Sequence, residues 1–119
     1  MFHCLARSGA DLLIGVAGAA ESRPAWLRVY RALEHGHARS ACLDVKAISD
    51  FPIAIREFAD IFVDMQIKRH AADYDPMSRF KKSEVEEDIT VVERCLRAFV
   101  RAPVKDKTAF CAHVLFRKR

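Results

Sequence analysis

Between Pro52 and Pro76 the chain runs without a glycine or another proline, and this stretch constrains the fold more than any other. Ile55, Phe58, Ala59, Phe62, Met65 and Gln66 recur at three- and four-residue steps. They therefore share one stripe of a helix, while Arg56, Glu57, Asp60 and Asp64 fall outside it. Asp50 or Phe51 stands at the expected cap position. The helix has to stop near Tyr74, because Pro76 pushes Asp75 out of the α region. A second long helix is predicted over 84–102. Ser83 opens it with a capping box, its hydroxyl reaching the backbone of Glu86 and Glu86 reaching back. Val85, Ile89, Val92, Leu96, Phe99 and Val100 supply its buried face. Its acids (Glu84, Glu86, Glu87, Asp88) precede its bases (Arg94, Arg97, Arg101), which suits the helix dipole at both ends, and Pro103 stops it.

Shorter helical patterns surround these two. Phe2, Leu5, Ala6, Leu12, Leu13 and Val16 mark a first helix, weakened by Gly9, Gly15 and Gly18 and expected to loosen between Gly15 and Ser22. Ser22 is a plausible N-cap with Pro24 in the first turn. Trp26, Leu27, Val29, Tyr30 and Leu33 follow up to a break at Gly36, then a short helical stretch from His37 to Leu43. Asp106 is expected to cap a last helix bearing Phe110, Val114, Leu115 and Phe116, closed by Arg117-Lys118-Arg119. No run alternates with period two for long, and only 4 Gly and 4 Pro in 119 residues leave few turns for a many-stranded sandwich. The expected architecture is an all-α, antiparallel up-and-down bundle of four to five helices, forming a single domain over residues 1–119. A composition of 51% apolar and 30% charged residues excludes a disordered or collagen-like chain.

Several functional classes drop out on the same grounds. The apolar run Leu12 to Ala20 is shorter than the ~20 residues a membrane span needs. Ala17-Gly18-Ala19-Ala20 after Leu12-Leu13-Ile14 mimics a secretory cleavage site, but Asp11 interrupts the stretch and only Arg7 precedes it. The segment reads as part of the mature protein, with no membrane partner and a cytoplasmic location expected. Cys4, Cys42, Cys95 and Cys111 lie in apolar surroundings with no C-x-x-C spacing, and read as reduced core residues. Cys111 and His113, two apart on a helix, point in different directions, so neither a metal nor a cofactor is expected. No glycine-rich stretch resembles a P-loop. Residues 1–67 hold 7 basic and 8 acidic side chains, net −1, and residues 68–119 hold 13 and 8, net +5. That modest basic bias is compatible with a polyanion and with ordinary solvated helix faces alike.

Chemistry concentrates in Gln66-Ile67-Lys68-Arg69-His70-Ala71-Ala72-Asp73-Tyr74-Asp75-Pro76. Arg69 and Asp73 are four apart, as are His70 and Tyr74, so two polar pairs lie side by side on one helical turn. Arg69 is suited to grip a phosphate, His70 to carry a proton near neutral pH, and Tyr74 to donate a hydrogen bond. The bland reading is an exposed Arg69–Asp73 ion pair worth a few tenths of a kcal/mol, with His70 favouring the negative end of the helix.

Phe62 to Pro76, read with Met1-Phe2-His3-Cys4-Leu5-Ala6, resembles the bacterial branch of the HEPN superfamily (higher eukaryotes and prokaryotes nucleotide-binding). The motif carrying the resemblance is Arg69-His70-Ala71-Ala72-Asp73-Tyr74-Asp75, and the likeness extends to Tyr30-Arg31-Ala32-Leu33-Glu34-His35-Gly36 and to the stretch from Ala109-Phe110 to Arg119. Two departures shape what it implies. The family's first helix begins well before the Met-Phe-His position, so part of that helix is expected to be missing, with apolar surface around Phe58, Phe62 and Val92 covered by a partner chain. Ribonuclease members place a His beyond the Arg after four to six intervening residues, whereas Tyr74 occupies the nearest such position here. Arg31 and His37 have that spacing but lie in the wrong part of the fold.

The resemblance therefore implies a non-catalytic, dimeric helical module that binds a nucleotide, RNA or a protein partner through Arg69, Asp73, Tyr74, Arg79, Lys81 and Lys82. The alternatives are a metal-independent endoribonuclease using Arg69, His70 or Tyr74, one component of a toxin–antitoxin-like pair whose partner is encoded nearby, or a purely structural protein.

Overall fold

The structure is a computed structural model that describes residues 1–15, 22–75, 77 and 79–117. The unbroken stretch after Pro52 forms its longest element, α5 (Ile53–Tyr74). Five shorter helices and a second long one accompany it: α1 (Phe2–Leu13), α2 (Arg23–Ala32), α3 (His35–Cys42), α4 (Val45–Ile48), α6 (Lys82–Arg101) and α7 (Val104–Leu115). No strand occurs among the described residues, so the fold is an all-α helical bundle. Contacts between early α5 and late α6 (Phe58 on Phe99) and between late α5 and early α6 (Lys68 with Asp88) make these two helices an antiparallel hairpin.

The core forms where the stripes meet. Phe58 is fully buried, stacks on Phe99 with ring centroids 4.4 Å apart and planes 27° apart, and meets Phe110 edge-on at 6.0 Å. Leu5, Ile55, Phe62, Cys111 and Val114 complete the centre. The aromatic pairs add to the burial of their area, since offset and edge-on rings contribute beyond it. The expectation that Phe58 and Phe62 wait for a partner chain is overturned, because α3, α6 and α7 of the same chain close over them. Val92 is half-buried.

Boundaries differ from expectation where capping chemistry decides them. The segment of α6 begins at Lys82, not after Ser83, because Glu84 turns back to accept the Lys81 backbone N–H at 3.4 Å; the box expected between Ser83 and Glu86 is therefore displaced. Pro103 both ends α6 and caps α7, which puts Asp106 inside the first turn instead of at the cap. Pro52, in place of Asp50 or Phe51, precedes α5. Gly36 does not break the chain. It sits in the first turn of α3, and the break falls at Leu33 and Glu34, extended residues that let the Leu33 side chain enter the core. A one-turn helix, α4, arises because the Asp44 carboxylate accepts the Ala47 N–H at 3.2 Å. These extra pieces raise the helix number among the described residues to seven, against an expected four to five.

Ser22 caps α2 as expected, accepting the Ala25 N–H at 3.3 Å, with proline in the first turn. Asp75 is extended after α5, the conformation favoured before a proline. Gly15 takes φ +127°, a value side chains rarely adopt, and so ends α1. The loosening expected between Gly15 and Ser22 falls largely on residues 16–21, which lie outside the described residues, as do Pro76, Lys118 and Arg119.

Candidate functional site

The last two turns of α5 realise both pairs read from the spacing. Arg69 Nε lies 3.6 Å from Asp73 Oδ2, and the His70 and Tyr74 rings are 4.8 Å apart. Arg69 is 80% exposed, so the pair leaves its guanidinium largely in water and contributes little to stability.

What the spacing does not convey is the surface these side chains face. Arg69, His70, Asp73 and Tyr74 line one side of an open groove of about 750 Å³. Phe2 of α1 and His35, Gly36 and Arg39 of α3 line the other, with Phe62, Met65 and Val92 as apolar lining. Phe2 and His35 stack at 3.9 Å with their planes 14° apart, which joins the start of α1 to the start of α3. Gln66 donates an amide hydrogen to His35 Nδ1 at 3.2 Å, which places the ring proton of the neutral imidazole on Nε2. Beside Phe2, His3 Nδ1 and the Tyr30 hydroxyl are 2.9 Å apart, and Tyr30 stacks on Trp26, whose indole N–H donates to Asp11 at 2.8 Å. Two guanidinium-bearing and two imidazole-bearing residues thus line a single concavity with an apolar lining. Such a surface suits a ligand carrying phosphate and a flat ring.

The structure separates the remaining predicted residues from this groove. Lys81 and Lys82 sit at the start of α6, and Arg79 in the connection before it; none of the three lines the groove. In that connection the Asp75 carboxylate accepts the Met77 N–H at 2.9 Å, a local turn rather than a ligand contact. Lys68 is held by Asp88 across the hairpin at 2.8 and 3.0 Å, and this bond pushes its ammonium pKa up. Arg31 and His37 are engaged apart, for Arg31 lines a concavity with Pro24, Leu27 and Arg28 of α2 while His37 Nε2 donates to the Phe116 carbonyl at 3.2 Å.

Arg39 and His35 were missed by sequence reading. Their four-residue spacing is a helical pair, hidden by starting the short helix at His37 instead of His35.

The cysteines are free thiols, with Cys42, Cys95 and Cys111 buried and Cys4 partly so. Burial pushes the thiols of Cys42 and Cys111 up to about 12, with Asp60 adding to the first and Cys4 to the second. Burial, then the charge of Glu57, likewise raises Cys95. His113 Nε2 donates to the Ala41 carbonyl at 2.8 Å, an interhelical tie between α7 and α3. Among the described residues no three His, Cys, Asp or Glu side chains gather as a metal-binding group, and no helix is long and apolar enough to cross a membrane. Compared with family models, with curated proteins and with solved structures, the chain has no match.

Proposed function

We propose that the chain is a non-catalytic helical module of HEPN-like type that binds a nucleotide or RNA in the groove over α5. The observation that carries this reading is the joint lining of that groove by Arg39, Arg69, His35, His70 and Tyr74 around apolar Phe62, Met65 and Val92. The guanidinium groups take the phosphate, and the rings of Tyr74, His70 and His35 supply faces and edges for a base. Phosphate contacts make such binding fall with salt. Fluorescence anisotropy with a labelled single-stranded RNA and with ATP, titrated at 50 and 200 mM salt, tests it. Arg69→Ala and Arg39→Ala should each weaken binding at least tenfold. Equal affinity of both variants and wild type removes the proposal.

The pair of imidazoles lining one groove is the specific observation that favours the endoribonuclease alternative. In that reading Arg69 stabilises phosphate charge while His70 and His35 exchange the proton at the 2′-hydroxyl and leaving oxygen. RNA recovered intact after incubation supports binding alone. Cleavage that disappears in His70→Ala replaces the binding reading with the catalytic one.

A further inference from the structure

Among the described helices α2 alone buries no residue. One of its faces rests on α1. Trp26 gives its indole N–H to Asp11 at 2.8 Å, and Tyr30, one turn on, stacks on Trp26 and lies 2.9 Å from His3 Nδ1. Another face is left bare. There Arg23, Leu27 and Arg31 stand four apart and so form one row along the helix, with Pro24, Arg28 and Ala32 beside it. These six residues line an open concavity of about 690 Å³.

Exposed bases on a helix are ordinarily a solvated face with acids among them. This face has none, since residues 22–33 hold Arg23, Arg28 and Arg31 and no acid. The described acids nearest in contact or sequence are engaged, Asp11 with Trp26 and Arg7, and Glu34 with Arg117. Arg23, Arg28 and Arg31 are exposed and enter none of the ion pairs or hydrogen bonds among the described residues. Lys68 and Arg69 of α5, by contrast, are paired with Asp88 and Asp73. Three guanidinium groups therefore stand uncompensated along about 12 Å of helix axis, around the apolar Pro24, Leu27 and Ala32.

We propose that this face of α2 docks an acidic amphipathic helix of a partner protein, which seats an apolar side chain on Leu27 between carboxylates one turn to either side. The chemistry of the row dictates that pattern. Arginine forks take carboxylates in bidentate pairs, and Arg-x-x-x-Leu-x-x-x-Arg on one helix has the same pitch as Glu-x-x-x-Leu-x-x-x-Glu on another. Nucleic acid fits the face less well. Phosphates make no use of Leu27, and the aromatic rings of α2 that a base would stack on, Trp26 and Tyr30, are turned to α1. A lipid surface also fits less well, because it needs protruding apolar side chains, whereas Leu27 is half-buried between arginines. The concavity shares no lining residue with the groove over α5, so this inference stands apart from the ligand proposed there.

Fluorescence anisotropy with a labelled synthetic peptide, Glu-x-x-x-Leu-x-x-x-Glu in an alanine-rich background, tests the docking. Wild type should bind it, and the paired substitution Arg28→Glu with Arg31→Glu should weaken binding at least tenfold. Far-UV circular dichroism should be unchanged in that variant, since both positions are exposed. A peptide of the same composition with its leucine moved off the glutamate face should bind wild type at least fivefold more weakly. Arg94→Glu with Arg97→Glu makes the same change of charge on exposed positions of α6 and should leave peptide binding within twofold of wild type. Single-stranded RNA and phosphatidylglycerol vesicles are titrated in parallel, and neither should lose as much affinity as the peptide in the α2 variant. No binding by wild type, an equal loss in the α6 variant, or equal affinity for the rearranged peptide overturns the proposal. A larger loss for RNA or vesicles than for the peptide also overturns it, and assigns the face to that polyanion instead.

Discussion

Phe58→Ala separates two accounts of the same stripe. If Phe58 faced a partner chain, truncating it would change the oligomeric state and leave the single chain nearly as stable as before. In the structure it is fully buried within one chain, against Phe99 at 4.4 Å and Phe110 at 6.0 Å, with Phe62 next along α5. Removing a buried phenyl ring costs about 3–5 kcal/mol, from lost transfer energy and the cavity left behind. Lost ring pairing is part of that figure, at about 0.5–1.5 kcal/mol per good pair. A chain of 119 residues has a total stability of about 6–18 kcal/mol, so the loss takes a large share of it. The melting temperature should fall on the order of 10–20 °C. Urea unfolding followed by far-UV circular dichroism, at two protein concentrations, measures it. Phe58→Leu, which keeps much of the volume, should lose far less. A loss below about 1 kcal/mol for Phe58→Ala, or a midpoint that depends strongly on protein concentration only in wild type, refutes the placement of this ring.

Two further consequences concern the packing of α1 and the buried thiols. A Cβ built on Gly9 would lie 2.9 Å from Leu115 Cδ1, the movable end of a side chain. Gly9→Ala should therefore be within about 1 kcal/mol of wild type, helix propensity offsetting the shift of Leu115. Gly9→Val, with two more methyl groups, should cost about 1–3 kcal/mol in chemical denaturation. For Cys42 and Cys111 the folded chain holds the neutral thiol up to about 12, whereas the unfolded thiol ionises near 9. The folded state therefore keeps protons that the unfolded state releases, and stability present below pH 9 is lost as pH rises towards 12. Each thiol accounts for about 1 kcal/mol of the loss at pH 10. Cys42→Ala combined with Cys111→Ala should flatten the alkaline limb of a stability–pH curve; an unchanged limb contradicts the burial of these thiols.

The local periodicities in the sequence located both long helices to within two residues or so at either end, because an apolar stripe at helical spacing depends only on neighbours along the chain. The Arg69–Asp73 and His70–Tyr74 pairs were legible for the same reason, as four-residue spacings on one turn. The Ser22 cap and the end of α5 at Tyr74 followed from residue chemistry within a few positions. Caps with competing partners were harder: Ser83 reads as a better cap than Lys81, yet Glu84 satisfies the Lys81 N–H and draws the helix start earlier.

What lies across from a stripe is another matter. Nothing in the spacing of residues 55–66 says whether Phe58 and Phe62 meet another chain or the rings of Phe99 and Phe110, more than thirty residues away. Nor does it say that Phe2, His35 and Arg39 come to face Arg69 and Tyr74 across one groove, or that Lys81 and Lys82 end up away from it. The sequence by itself determined which residues share a helix face, since that is local geometry. The tertiary structure alone decided which faces meet and which stay bare, because those contacts depend on where chain turns at Leu33, Gly15 and Pro103 send each helix.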